Sequence, residues 1–433
     1  MAQAFCLRDA HRNTSRIMKR MSFCGLLAAL LTGLLPTAAY SSNTATAGNA
    51  AATPAVTASA AAATIRPATQ ADALPTGREV LATVEKANRY FMDKYQDVTA
   101  QSFVRNRYRP SHIWTRGVYY EGLMELYRIC PRDQYYDYAY RWADFHEWSF
   151  RNGSTTRNAD DQCAGQTYLE LYSQARQPEM MRHTKACMDM LVNTPQTGDW
   201  TWIDAIQMAM PVLGQLGTLT GDARYYEKAW QMYSTTRNEI GKSPANPDCG
   251  LWNPKDGLWW RDADFCPPYT EPNGEDCYWS RGNGWVFVAL CRYMDRTPAT
   301  ESHRNQYLAD FKAMAKAILA CQREDGFWNC SLHDPDHFGG KETTGTALFV
   351  SGFAWGVRQG WLDAKTYMPA IVKGWQALTE AVHPDNGFLG YVQGTGKEPK
   401  DSQPTGYDIE PDFEDFALGC FLLAGTEVYK LCR

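Results

Sequence analysis

Three short stretches of this sequence join carboxylates or a guanidinium to tryptophan, and they are the best candidates for chemistry. In residues 199–208, Asp204 opens an apolar helix just after Trp202. An Asp at a helix start can simply cap the helix. Tryptophans on its shoulder would instead desolvate the carboxyl group and raise its pKa, as a general acid requires. We therefore predict that Asp204 is an acid/base residue, with capping as the alternative.

A second pair of carboxylates, Asp160 and Asp161, stands at the start of another predicted helix. Asp160 could cap this helix, which would leave Asp161 facing inward. Both residues could also serve as caps. The pattern favours Asp161 as the second functional carboxylate.

The third stretch, residues 278–285, places Arg281 between Trp279 and Trp285, with glycines that let the backbone come close. An arginine flanked by aromatic rings is suited to clamp the carboxylate of a sugar acid. A solvated arginine beside core tryptophans is the alternative.

Other catalytic motifs are missing from the sequence. The only close histidine pair is His333 and His337, and Pro335 between them prevents the regular helix of a zincin site, which leaves only a loop metal site as an alternative. No Gly-x-Ser-x-Gly elbow and no phosphate-binding Walker loop occurs. Carboxylates, arginines and aromatic residues remain.

The composition agrees with a carbohydrate ligand. The net charge is −5, and the first 76 residues hold six basic but only two acidic residues, so the rest is more acidic still. Such a chain is not expected to bind nucleic acid. The 15 Trp, 24 Tyr and 17 Phe fit a cleft that stacks on hydroxylated rings, although a helical core rich in aromatics also explains many of them.

The N-terminus has the pattern of an export signal. Lys19 and Arg20 precede an apolar run over residues 21–35, and small residues follow. We predict a signal peptide over 1–40, a disordered Ala/Thr/Ser-rich linker over 41–76 and a periplasmic or extracellular protein with no stable membrane span. A retained anchor and a lipoprotein cut at Cys24 are the alternatives.

Eleven cysteines follow the leader, so at least one is unpaired if the chain stays monomeric. Cys266 with Cys277, or Cys321 with Cys330, could pair across loops.

Beyond residue 77 the sequence predicts an all-α fold. Twelve amphipathic stretches occur between about residues 80 and 431, most with a period of 3.6. Short turns join the members of a pair, and longer segments with an Asp/Asn-Gly-aromatic turn separate the pairs at 256–259, 325–328 and 386–388. Six helical hairpins of this kind predict one (α/α)6 barrel over residues 77–433, with the long loops and a cleft on one rim. An open solenoid is the alternative.

These motifs resemble those of the unsaturated glucuronyl and rhamnogalacturonyl hydrolases, glycoside hydrolase families 88 and 105, with family 105 the closer match. The resemblance covers about residues 80–431. It rests on the Trp202-Ile203-Asp204 and Asp160-Asp161 helix starts, on Trp279-Ser280-Arg281-Gly282-Asn283-Gly284-Trp285, and on Glu342-Thr343-Thr344-Gly345. The family fold, an (α/α)6 barrel, agrees with the helix count.

The resemblance implies roles for eight residues. Asp204 matches the catalytic acid/base and Asp161 the second essential Asp. Trp202, Met208, Trp279, Arg281 and Trp285 match substrate-binding residues, and Arg261 stands where many members have a histidine. The implied reaction is hydration of a Δ4,5-unsaturated uronyl residue at the non-reducing end of an oligosaccharide, with no metal or organic cofactor. The uronic acid, the linkage and the oligomeric state remain open.

Three other functions fit the same barrel. A carbohydrate-binding or scaffold protein would need the aromatics but not Asp204. A polysaccharide lyase would need a Tyr or His base near the arginine. An N-acyl sugar epimerase relies on histidine bases, and none stands in the three stretches.

Overall fold

The computed structural model describes residues 73–433, so the predicted signal peptide and the linker up to residue 72 lie outside the described residues. The described part contains twelve helices of more than ten residues. They are α1 Gly77–Lys94, α2 Trp114–Ile129, α3 Asp133–Phe145, α4 Ala164–Ala175, α5 Glu179–Val192, α6 Asp204–Thr220, α7 Arg224–Asn238, α8 Ser280–Arg296, α9 Arg304–Ala320, α10 Thr343–Arg358, α11 Ala364–Ala381 and α12 Asp415–Leu431.

The even-numbered helices form a closed inner ring. Each packs against the next one in order, and α12 packs against α2 to complete the circle. The odd-numbered helices lie outside, each against an inner partner, with α1 against α12. The predicted (α/α)6 barrel is thereby confirmed, and the open solenoid is wrong.

Hydrophobic patterning decides which helix is inside. Inner helix α6 is buried from Asp204 through Gly217, on all of its faces. Outer helix α1 buries only a stripe: Val80, Val84, Ala87, Asn88 and Phe91. A helix that is apolar all round needs neighbours on every side, whereas one apolar stripe needs only one layer beneath it.

The Asp/Asn-Gly-aromatic turns repeat in structure as well as in sequence. Gly257, Gly326 and Gly387 all have positive φ, between 69° and 90°. A Cβ on these glycines would approach a backbone carbonyl of α9, α11 and α1, respectively. A side chain would be strained and crowded at each position, so glycine lets these three long loops fold onto the next outer helix.

The long outer-to-inner loops and the N-terminal ends of the inner helices share one rim. Two small antiparallel hairpins belong to these loops: β1 Ser102–Val104 with β2 Arg107–Arg109, and β3 Trp252–Asn253 with β4 Leu258–Trp259. None of the helices within residues 73–433 has the length and hydrophobicity needed to span a membrane.

All eleven cysteines of the described chain are free thiols. The disulfides considered for Cys266 with Cys277 and for Cys321 with Cys330 are therefore absent from this structure. Burial raises the pKa of each of these four thiols, which keeps them in the inert neutral form.

Candidate active site

A cavity of about 250 Å³ opens on the rim where the inner helices begin. We call it the rim cavity. Its lining residues come from the starts of the inner helices and from the long loops: Arg105, Trp114, Asp160, Trp202, Asp204, Met208, Arg261, Thr395, Gly396 and Asp401.

Asp204 and Arg261 are brought together by main-chain pairing. Asp204 is the first residue of α6, and the amide of Ile203 just before it donates to the carbonyl of Arg261 at 3.0 Å. Trp202 forms a β-bridge with Asp262 in the same register. This pairing aims Arg261 Nε at Asp204 Oδ2, at 3.1 Å. Asp262 Oδ2 accepts from Arg261 Nη1 at 2.7 Å, so the guanidinium is held between two carboxylates.

Asp160 is the second carboxylate of the rim cavity. It belongs to the single turn Ala159–Gln162 that precedes α4, and the Asn158 side chain caps that turn by accepting from the Asp160 amide at 2.9 Å. Burial and the nearby negative charge of Asp204 raise the pKa of Asp160 to about 7. The carboxyl group of Asp160 therefore keeps its proton to a much higher pH than an ordinary aspartate does.

Asp161 does not face the rim cavity, contrary to the sequence prediction. Its side chain is buried and accepts hydrogen bonds from Asn152 and Thr156 at 2.7 Å each, and its other oxygen pairs with Arg151 at 2.9 Å. Because Asn158 is the cap, Asp160 is free to face the cavity while Asp161 anchors the preceding loop. The order expected for the two residues is thus reversed.

Arg281, predicted as the carboxylate clamp, does not line the rim cavity. Arg281 is fully buried and donates to the carbonyls of Gln393 and Gly394 at 2.6 and 2.7 Å. Its guanidinium lies 4.6 Å from the ring centre of Trp279, whose indole donates to the Gln393 side chain at 2.9 Å. Arg281 therefore holds the backbone that leads into Thr395 and Gly396, Trp279 holds the Gln393 side chain, and neither residue lines the cavity.

Trp285 is buried as well and stands edge-on behind Trp114, with ring centres 6.4 Å apart. Trp114 lines the rim cavity, so Trp285 supports the cavity wall from behind. Trp202 and Met208 line the cavity as predicted, and Met208 lies one turn after Asp204 on the same face of α6.

Sequence reasoning missed the outer edge of the cavity. Arg105 sits at positive φ in the turn between β1 and β2 and donates to the Thr395 carbonyl at 3.0 Å. It also pairs with Asp412 at 3.1 Å. The Gly394-Thr395-Gly396 stretch was a usable signal, because two closely spaced glycines permit close backbone approach. Nothing in the sequence around Arg105 or Asp401 indicated that these residues would line the cavity.

Comparison with known proteins agrees with this architecture. The sequence pattern of Glycosyl Hydrolase Family 88 matches residues 83–432. An unsaturated 3S-rhamnoglycuronyl hydrolase from Formosa agariphila is 31% identical over 338 residues, which are 73% of this chain and 84% of that protein.

Two solved structures are similar over 82% of this chain. A family 88 glycosyl hydrolase from Bacteroides vulgatus has 30% identity, a TM-score of 0.73 and 99% of its own chain covered. A polysaccharide lyase has 28% identity, a TM-score of 0.72 and 98% of its chain covered. The chain belongs to Glycosyl Hydrolase Family 88 and is a glycoside hydrolase.

Proposed function

We propose that Asp160 and Asp204 together catalyse the hydration of a Δ4,5-unsaturated uronyl residue at the non-reducing end of an oligosaccharide. The hydrated uronyl unit, which no longer has the C4–C5 double bond, is thereby released from the rest of the oligosaccharide. The observation that carries the assignment is that Asp160, whose pKa is raised, and Asp204, which is bonded to Arg261, line one small cavity together with that arginine. The family and the hydrolase from Formosa agariphila support the substrate class.

The substrate is an anion, and Arg261 is the proposed partner of its carboxylate. The whole chain is acidic, so an anionic sugar needs local positive charge to bind. Arg261 and Arg105 supply that charge in the cavity lining. The N-terminal ends of the inner helices converge on the same rim, and their dipoles also favour an anion.

Asp204 is the proposed proton donor. Its O–H bond breaks as a C–H bond forms at C4 of the sugar, and positive charge spreads over C5 and O5. Water then forms a bond to C5 and gives its proton to the Asp204 carboxylate. The resulting hemiketal is unstable: its C5–O5 bond opens, and the remaining hemiacetal at C1 releases the rest of the oligosaccharide.

The two carboxylates share the proton that this step needs. In the free enzyme the raised pKa of Asp160, about 7, lets this group carry the proton, while Asp204 accepts a hydrogen bond from Arg261. An incoming substrate carboxylate competes with Asp204 for Arg261. Proton transfer to Asp204 then becomes favourable, and the ionised Asp160 faces the positive charge that develops at C5 and O5.

A polysaccharide lyase is the second candidate, because one similar structure carries that name. A lyase needs a base such as Tyr or His beside the substrate carboxylate. Neither residue type lines the rim cavity of the described chain. Absorbance of the conjugated double bond separates the two reactions: the hydrolase removes it from a lyase-made unsaturated disaccharide, whereas a lyase creates it in a saturated oligosaccharide.

We also propose that the sugar released beside the uronic acid is rhamnose. The support is the rhamnoglycuronyl hydrolase from Formosa agariphila. Parallel assays of unsaturated disaccharides that end in rhamnose, glucose or N-acetylhexosamine test this. We expect the largest kcat/KM for rhamnose, and equal values for all three would contradict the assignment.

Export of the protein is a further proposal, supported by the basic and apolar pattern of residues 19–35. N-terminal sequencing of protein from the periplasm or medium should find a start after residues 36–42. A chain that still begins at Met1 or Met18 would contradict cleavage.

A further inference from the structure

The segment around His337 takes no part in the proposed reaction, yet the fold brings it to a buried carboxylate. Glu271 lies in the α7–α8 loop, and Asp334 and His337 lie in the α9–α10 loop. One ligand-capable atom from each of these residues lies within 4.8 Å of the other two. We call the three residues the loop cluster. We propose that the loop cluster binds one zinc ion, which ties the two loops together.

Two polar atoms of the loop cluster are buried without a hydrogen bond. They are Glu271 Oε1 and His337 Nδ1, which lie 3.4 Å apart, within ion-pair distance of each other. The Glu271 side chain is 0% exposed, so water cannot satisfy it from outside. Unsatisfied buried polar atoms of this kind are costly, and a shared cation removes the cost for both.

Asp334 is prepared to act as the third ligand. Its Oδ2 accepts from the Asn273 amide at 3.1 Å, and its Oδ1 accepts from the amides of Asp336 and His337 at 3.2 and 3.1 Å. These bonds fix the carboxylate and leave further lone pairs on each oxygen. Second-layer hydrogen bonds that orient a ligand in this way are typical of metal sites.

The charge at the loop cluster calls for a cation. Glu271 and Asp334 are both buried, and within residues 73–433 no lysine or arginine forms an ion pair with either carboxyl group. A divalent ion would supply the missing positive charge.

The distance between these two atoms fits a zinc ion. A tetrahedron with an edge of 3.4 Å has its centre about 2.1 Å from every corner, which is the length of Zn–N and Zn–O bonds. Calcium prefers longer bonds and oxygen ligands without imidazole. Three protein ligands leave a fourth position for water.

The ion would be structural. Both loops flank Trp279, which forms a β-bridge with Ser331, and the Ser331 hydroxyl donates to Glu271. Zinc at the loop cluster would therefore hold the rim beside the Trp279 and Arg281 pair, without contact with the reacting sugar.

The test uses protein purified without a polyhistidine tag, equilibrated with zinc and then desalted. Elemental analysis should find about one zinc per chain in the wild type and in Asp336→Asn, a control in the same loop whose exposed side chain lies outside the cluster. Glu271→Gln and His337→Gln should retain less than about a fifth of that.

In thermal unfolding each protein is compared with itself, with zinc and with EDTA, so a variant's own stability does not affect the result. Zinc should raise the melting temperature of the wild type by about 5 °C relative to EDTA. The same comparison should give no shift in Glu271→Gln. Absence of bound zinc in the wild type, equal retention by Glu271→Gln, or a larger stabilisation by calcium than by zinc would each overturn the proposal.

Discussion

Arg261 donates from Nε to the Asp204 carboxylate at 3.1 Å, and both residues line the rim cavity. The positive group available to an anionic substrate is thus already bonded to the proposed proton donor. Substrate binding and the protonation of Asp204 are therefore coupled through one guanidinium. The same contact explains why an arginine at position 261, where the resemblance led us to expect a histidine, still fits the reaction.

The first prediction concerns this coupling. Arg261→Ala should raise KM by at least about tenfold, since a charge-assisted hydrogen bond contributes about 1.5–3 kcal/mol. A substrate with its uronate esterified should be a poor substrate for the wild type, but the variant should hardly distinguish the ester from the acid. Steady-state kinetics with both substrates measures this. Equal loss with the ester in both enzymes would show that Arg261 does not bind the carboxylate.

Asp160→Asn and Asp161→Asn form a matched pair that separates catalysis from stability. Asp160→Asn should lower kcat by at least about 10²-fold, because the carboxyl group that holds the proton for Asp204 is lost. Asp161→Asn should instead lower the free energy of unfolding by about 2 kcal/mol, because it weakens a buried carboxylate with three donors.

Denaturant unfolding and kinetics of the two variants check this pair. A folded, stable Asp161→Asn enzyme with kcat as low as that of Asp160→Asn would restore Asp161 as the catalytic residue.

The third prediction is a pH dependence set by Asp160. The pKa of this group is raised to about 7 in the folded protein, so the pair keeps its proton below pH 7 and loses it above. The value of kcat/KM should be flat below about pH 7 and fall up to tenfold per unit above it. A profile that rises through pH 7 would contradict the account.

The same shift has a consequence for stability. A carboxyl group with a raised folded pKa stabilises the fold fully below its unfolded pKa and loses that contribution as pH rises through about 7. Asp160→Asn, which cannot ionise, should therefore unfold at a higher temperature than the wild type at pH 8. Near pH 4 the two melting temperatures should converge.

Arg281 gives a fourth prediction. Its guanidinium holds the carbonyls of Gln393 and Gly394 from a fully buried position. Arg281→Met should cost at least about 2 kcal/mol of unfolding free energy, because buried carbonyls lose their donors. The discrimination between uronate and ester should remain close to that of the wild type. Loss of this discrimination with unchanged stability would return Arg281 to the role of carboxylate clamp.

The fold could be predicted because its signals are local and repeated. Apolar positions with a period of 3.6 define twelve helices, and the spacing of turns at Gly257, Gly326 and Gly387 defines the hairpin repeat. Closure of the ring follows from the number of hairpins, because six units bury every inner helix between two others.

The site was predicted only in part because side-chain direction depends on contacts that are distant in sequence. Asp204 and Trp202 lie at a helix start, where the position of a residue relative to the helix determines where its side chain points. Whether Asp160 or Asp161 faces the cavity depends on Asn158 taking the cap and on Arg151 and Thr156 holding Asp161. The contacts of Arg281 could not be predicted because its partners, Gln393 and Gly394, are more than a hundred residues away.

Isotope labelling of the product tests the central claim most directly. In deuterated water the wild type should place deuterium at C4 of the uronic acid product. In ¹⁸O-labelled water the label should enter at C5 and not at the anomeric carbon of the released sugar, with exchange controlled.

Asp204→Asn should remain folded and bind substrate while its rate falls by at least about 10³-fold. Label at the anomeric carbon, no deuterium at C4, or near-wild-type turnover by Asp204→Asn would contradict hydration by this carboxylate pair.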